Sequence, residues 1–255
     1  MLFTYRTGKQ YRMNKKALLS LLFALSSLYI QAQTADEIIR KYVEFIGGEK
    51  QWKEITTIIT SGEYTYGGVS FPFKAYSKAP DHYKFVVTFN KKYYAQAFDG
   101  KAGWKIDVFN GDTTPTLLTG KPALAMANEA DVELENALIN YKDKGHRASL
   151  EGKDSIQGKA CFTIKFIRKN RESETYFFDR KTAELVLKKA VSKNPEMGGA
   201  ALTIFYSDYR TVGNIKIPFK TIAKTEDQTI LVITIRNAEI NIAIADIEFQ
   251  PPVNR

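Results

Sequence analysis

The sequence predicts a mainly β protein with a few helices, an α+β chain built as a meander of about 10 or 11 antiparallel strands. Three observations carry that expectation. From Thr56 onward apolar and polar residues alternate with a period of two. Turn signals such as Asp99-Gly100, Lys169-Asn170 and Gly213-Asn214 recur between the alternating stretches. The connections they make are too short for parallel crossovers.

The first residues read as an address, not as part of the fold. Met13-Asn14-Lys15-Lys16 is a short basic start, residues 17–30 are almost wholly apolar, and Gln31-Ala32-Gln33 offers a small residue for cleavage after Ala32. That pattern makes residues 13–32 a secretory signal peptide. Its apolar core of roughly 14 residues falls short of the roughly 20 that a spanning helix needs. Residues 1–12 read as an extension from a mis-assigned start, which leaves 33–255 as a single domain. No cysteine stands at the cleavage site, so no lipid anchor is expected there, and the single Cys161 is expected to be a small packed residue.

Charge narrows the function classes. The formal net charge is +9, but Arg6, Lys9, Arg12, Lys15 and Lys16 precede residue 33 and no acid does, so loss of these five cations leaves +4. That remainder contains no Lys/Arg block of the kind that phosphate binding requires, and no nucleic-acid partner is expected.

The elements follow in order. Thr34-Ala35-Asp36-Glu37 forms a capping box, Ile38, Tyr42 and Ile46 with Ile39 and Val43 make one apolar stripe, and Gly47-Gly48 ends the helix. A short turn over 49–55 carries Trp52. Val69, Phe71, Phe73 and Ala75 then alternate with polar neighbours, as do Tyr83, Phe85, Val87 and Phe89 after the 79–81 turn. Residues 93–98 and a segment with Trp104, Ile106 and Val108 follow. Pro122 at a first helical position, Asn128 as a cap, and Leu134 and Leu138 on one face predict a helix over 122–139 that interrupts the strands. Strands are expected near 146–152, 160–169, 173–179, 184–192, 200–211, 215–225 and 229–240, with a final short segment around 246–251.

Catalytic signatures are scarce. His82 and His146 both read as surface residues at loop edges, and no paired-cysteine, nucleophile-elbow, zinc-helix or phosphate-loop motif occurs. Neither a metal nor a cofactor is expected. Paired carboxylates need no motif, which keeps Asp99, Asp107, Asp179 and Asp208 as candidates for a hydrolase. Asp99 and Asp179 have a simpler role as turn residues.

Six segments in fixed order then connect the chain with a known family: APDHYKF at 79–85, FDGKAGW at 98–104, YKDKGH at 141–146, YFFD at 176–179, FYSDYRTVGNIKIPF at 205–219 and NIAIADIEFQPP at 241–252. Together they resemble exported outer-membrane lipoprotein-sorting proteins of the LolA/LolB-like lipoprotein carrier superfamily. The resemblance implies a strongly curved antiparallel sheet forming an unclosed β-barrel, with helices covering the opening and an apolar hollow that holds lipid or the acyl chains of a lipoprotein. It further implies a soluble, non-enzymatic, monomeric protein of the periplasm that touches membranes only transiently. The residues expected to line the hollow are Phe71, Phe73, Tyr83, Phe85, Phe89, Trp104, Ile106, Leu134 and Leu138. The alternatives are an envelope interaction module with a filled core and, in third place, the carboxylate hydrolase. A cavity of roughly 300 Å3 or more, the lower end for ligand sites, separates the first alternative from a carrier.

Overall fold

The computed structural model describes residues 33–90, 92–120, 122, 126, 136–192, 197–226 and 228–252. Among them, 13 strands form one antiparallel sheet. They are β1 (Thr57–Tyr66), β2 (Val69–Lys78), β3 (His82–Phe89), β4 (Lys92–Asp99), β5 (Gly103–Ile106), β6 (Thr116–Leu118), β7 (Arg147–Ile156), β8 (Lys159–Ile167), β9 (Ser173–Asp179), β10 (Leu185–Val191), β11 (Ala201–Val212), β12 (Ile215–Thr225) and β13 (Gln228–Ile240). The order is β6-β5-β4-β3-β2-β1-β13-β12-β11-β10-β9-β8-β7. Every neighbour is adjacent in sequence except the central pair, where β1 meets β13. β6 and β7 end the sheet on opposite sides, so the barrel stays unclosed. The strands outnumber the expectation, and the three-residue β6 is too short to reveal itself by alternation.

Helix α1 (Ala35–Phe45) begins with Asp36 and Glu37, whose charges favour a helix N-terminus, and buries Ile38, Ile39 and Tyr42. Gly47 has φ of 115°, and a Cβ there would stand 2.4 Å from the Asn214 carbonyl oxygen. That close approach lets the Lys216 N–H donate to the Ile46 carbonyl at 2.8 Å, tying the helix end to β12. A one-turn helix α2 (Glu49–Lys53) follows and buries Trp52. Of the helix expected over 122–139, Pro122 and Met126 are helical and 137–145 is a run of turns, whereas 127–135, with Asn128 and Leu134, lies outside the described residues.

The inner face of the sheet carries two apolar clusters. Beneath α1, Ile38, Ile39, Tyr42 and Ile46 pack with Ile164, Phe166, Tyr176, Phe178, Ile215 and Ile217. In the β2–β4 half, Phe73, Tyr83, Phe85, Val87 and Phe98 pack with Met126. The outer face has clusters of its own, Ala95, Ala97, Trp104 and Ile106 in one and Cys161, Phe177, Val186 and Leu187 in the other.

Bulges change which side chains face inward. On β10, Leu185 pairs with Phe178 but Leu187 pairs with Phe177, so Val186 is an extra residue. Strict alternation from the inward Leu185 would turn Lys188 outward. The bulge places Lys188 opposite Tyr176, on the inner face. On β13 the register also shifts, between Asn237 and Ile235, opposite Ser61 and Gly62. A Cβ at Gly62 would stand 2.0 Å from the Thr234 carbonyl oxygen, so the bulge there needs glycine.

Candidate functional site

A cavity of about 340 Å3 lies between the two inner clusters. Its wall draws on β1, β2 and β3 and on β9 through β13. In a flat sheet β3 and β9 would be seven interstrand steps apart, about 33 Å at ~4.8 Å per step. Their joint presence around so small a volume requires a strongly bent sheet.

Phe73 and Ala75 of β2, Tyr83 and Phe85 of β3, and Ile233 and Ile235 of β13 supply apolar wall. They share a face because the ladders pair Ala75 with Phe85 and set Tyr83 against Phe98. Tyr42 of α1, Trp52 of α2 and Leu138 cover the hollow on its helical side. The Trp52 indole donates to the Ile46 carbonyl at 3.1 Å, and Tyr42 packs its ring 5.3 Å from Phe178. Burial pushes the Tyr42 hydroxyl up to about 12, so it stays neutral at any ordinary pH. Asp36, on the first turn of α1, accepts hydrogen bonds from the Tyr141 hydroxyl and the Lys142 ammonium, fastening the helix to the turns after 136. Those bonds, led by Lys142, hold its carboxyl below the usual range.

Of the nine residues expected to line a hollow, Phe73, Tyr83, Phe85 and Leu138 do. Phe71 and Phe89 share their face but lie beyond the cavity, where they meet Phe109 at centroid distances of 5.7 and 5.9 Å, with Phe89 39 % exposed. Trp104 and Ile106 are placed elsewhere. Register sets Trp104 against Ala97 and Ile106 against Ala95, on the outer face, where the closing 3-10 turn Asp246–Phe249 covers them. Leu134 lies outside the described residues.

The sequence reading missed Tyr42, Trp52, Tyr176, Tyr206 and Tyr209, and three cations, Arg168, Lys188 and Lys216, all of which line the cavity. Arg168 was within reach, since it extends the inward series Phe162, Ile164 and Phe166 by one step. Lys188 was not, because the Val186 bulge leaves no mark in the pattern LVLKKAV.

The polar candidates have local roles. Asp99 Oδ1 accepts from the Lys101 and Ala102 N–H groups at 3.0 and 2.7 Å, and Asp179 Oδ1 does the same for Lys181 and Thr182. Asp107 accepts from Asn110, capping a 3-10 turn, and Asp208 pairs with Arg210 on the surface. The two histidines are half-buried and not surface residues as the sequence suggested. The His82 ring stands 5.1 Å from Phe249 and that of His146 stands 5.3 Å from Phe166. Burial, followed by the charge of Arg168, keeps the His146 imidazole below its usual pKa. Its Nδ1 accepts the Lys169 N–H at 3.0 Å. Cys161 is fully buried, as expected.

A long open antiparallel sheet bent around an apolar hollow, with a helix laid inside it, is a LolA-like fold. Solved structures share it at low identity. A DUF1329 family protein from Desulfovibrio piger superposes with a TM-score of 0.58 at 13 % identity, covering 85 % of this chain and 97 % of its own. An outer membrane lipoprotein-sorting protein domain from Vibrio parahaemolyticus gives 0.54 at 11 %, covering 84 % and 95 %. A LolA superfamily protein from Nitrosomonas europaea gives 0.52 at 13 %, covering 86 % and 98 %. No sequence-family model and no curated protein matches the chain. Among the described residues no helix is long and apolar enough to cross a membrane.

Proposed function

We propose that this chain is a soluble periplasmic carrier or sensor, exported by the signal at 13–32, that binds lipid or the acyl chains of a lipoprotein in the hollow of its half-barrel. It acts without a cofactor and without catalysis, as a monomer that meets membranes only transiently and hands cargo to or from an envelope partner. The observation that carries the proposal is the cavity of about 340 Å3, walled by Phe73, Phe85, Ile233 and Ile235 and covered by the helix-borne Tyr42 and Trp52. The LolA-like fold supports it, as does the likeness to the outer membrane lipoprotein-sorting protein domain from Vibrio parahaemolyticus. The physical task asks for burial and nothing reactive. A methylene takes on the order of 30 Å3, similar to a water molecule in the liquid, so the hollow accepts about 11 of them. At about 0.8 kcal/mol each that is roughly 9 kcal/mol before the costs of ordering, enough to compete with a bilayer for one chain.

The test is native mass spectrometry of protein purified without detergent, together with titration of extracted envelope lipid against tryptophan emission. Co-purified lipid and an emission change at Trp52 are expected. Bare protein and a silent titration would return the chain to the interaction-module alternative.

A further inference from the structure

The charges around the cavity are of one sign. Arg168, Lys188 and Lys216 line it, and among the described lining residues there is no carboxylate. Buried cations are costly unless paired and hydrogen-bonded, and here the pairing is incomplete. Glu174, 6 % exposed, accepts from Arg168 Nε at 3.0 Å and Nη2 at 3.3 Å, and from the Tyr176 hydroxyl at 2.8 Å. Lys188 Nζ stands 3.8 Å from the same carboxylate, near enough to feel its charge and too far for a hydrogen bond. One carboxylate thus faces two cations, each only 14 % exposed. Burial lowers the Lys188 pKa, Glu174 works against that, and Arg168 adds to it. The ammonium is short of an anion. The opposite half of the sheet meets the same hollow with Phe73, Phe85 and Ile235 and carries no charge there.

We propose that the cavity takes a single-chain amphiphile with an anionic head, of which a medium- or long-chain carboxylate is the simplest, its head against Lys188 and Arg168 and its tail along Phe73, Phe85 and Ile235. This rests on the carrier reading and adds the ligand class to it. Room for about 11 methylenes suits one chain and not several. An arriving carboxylate would supply the hydrogen bonds that Glu174 leaves unmade on Lys188 and would balance the excess charge.

Calorimetric titrations of the full chain with dodecanoate, dodecanol, dodecylamine and acetate at neutral pH test the proposal. Dodecanoate is expected to bind at least about tenfold more tightly than dodecanol, the worth of one charge-assisted hydrogen bond. Dodecylamine should bind more weakly than either, and acetate, a head without a tail, not measurably. Lys188→Met should abolish the advantage of the acid over the alcohol, and Lys188→Arg should keep it. Equal affinity of the wild-type protein for acid and alcohol overturns the head-group assignment alone, whether or not any variant folds. Survival of the acid's advantage in a folded Lys188→Met protein does the same. Failure of both dodecanoate and dodecanol to bind removes the carrier reading as well.

Discussion

Trp104 donates its indole N–H to the backbone carbonyl of Phe249 at 2.7 Å, joining β5 to a turn 145 residues further along the chain. The bond fixes the closing segment on the outer face of the sheet. Lys78 and Lys84 reinforce it, reaching the Ile244 and Glu248 carbonyls and the Asp246 and Glu248 carboxylates. Phe249 is fully buried by this arrangement.

Trp104→Phe keeps the ring burial but strands the Phe249 carbonyl. A loss of about 1–3 kcal/mol is expected, read as a lower Tm and faster amide exchange over 246–250. Ligand binding in the hollow should be unchanged, because Trp104 does not border it.

The two tryptophans report on different faces. Trp52 lines the cavity and Trp104 does not. Any ligand-induced emission change should disappear in Trp52→Phe and persist in Trp104→Phe. The reverse pattern would place the ligand on the outer face.

Gly47 cannot be replaced cheaply. A methyl group there would press on the Asn214 backbone, and φ of 115° disfavours any L side chain. Gly47→Ala should cost at least about 1–3 kcal/mol by chemical denaturation, and should loosen α1 as judged by exchange at Tyr42 and Val43.

Glu174→Gln removes the charge that two buried cations share. Leaving Arg168 and Lys188 uncompensated should destabilise the protein by about 3–5 kcal/mol, and adding Lys188→Met should recover part of the loss. A double-mutant cycle on Tm and urea midpoint measures that coupling. Purely additive effects would show that Lys188 and Glu174 do not interact.

Acid should loosen the helix before it unfolds the sheet. The Asp36 carboxyl lies below its ordinary value in the native protein, so its contribution is fully present above the unfolded pKa near 3.8 and is lost as pH falls through the lower native one. Amide exchange over 38–46 should rise below about pH 4 and, in Asp36→Asn, be already elevated at neutral pH with a weaker acid dependence. Glu174 titrates with the same sign, so the Asn variant is what separates the two.

Much of the architecture was legible because alternation is a local property. Tyr83, Phe85 and Val87 announce a half-buried strand without help from the rest of the chain, and Ile38, Tyr42 and Ile46 announce a helix with one apolar face. Which of the two sheet faces surrounds the hollow is not local. Phe85 and Trp104 look equally apolar, yet register with β4 sends the first inward, opposite Gln96, and the second outward, opposite Ala97. The outer face could hide a tryptophan only because residues 244–249 return to cover it, a contact that no pattern near Trp104 foretells. The charged part of the wall was hidden for a second reason. Glu174 sits in the run SETYFFD with Tyr176 and Phe178 on its own face, and its burial becomes intelligible only beside Arg168, just past the end of β8, and Lys188 of β10.

Val186 gives the pocket its polarity by position, not by chemistry. Were Val186 to take a regular place in the ladder opposite Phe177, Leu187 would turn to the hollow and Lys188 to water, and a hollow disposed toward soaps would become one disposed toward hydrocarbons. Selectivity in such a scaffold can therefore drift through strand pairing, a route that comparing side chains column by column would not register.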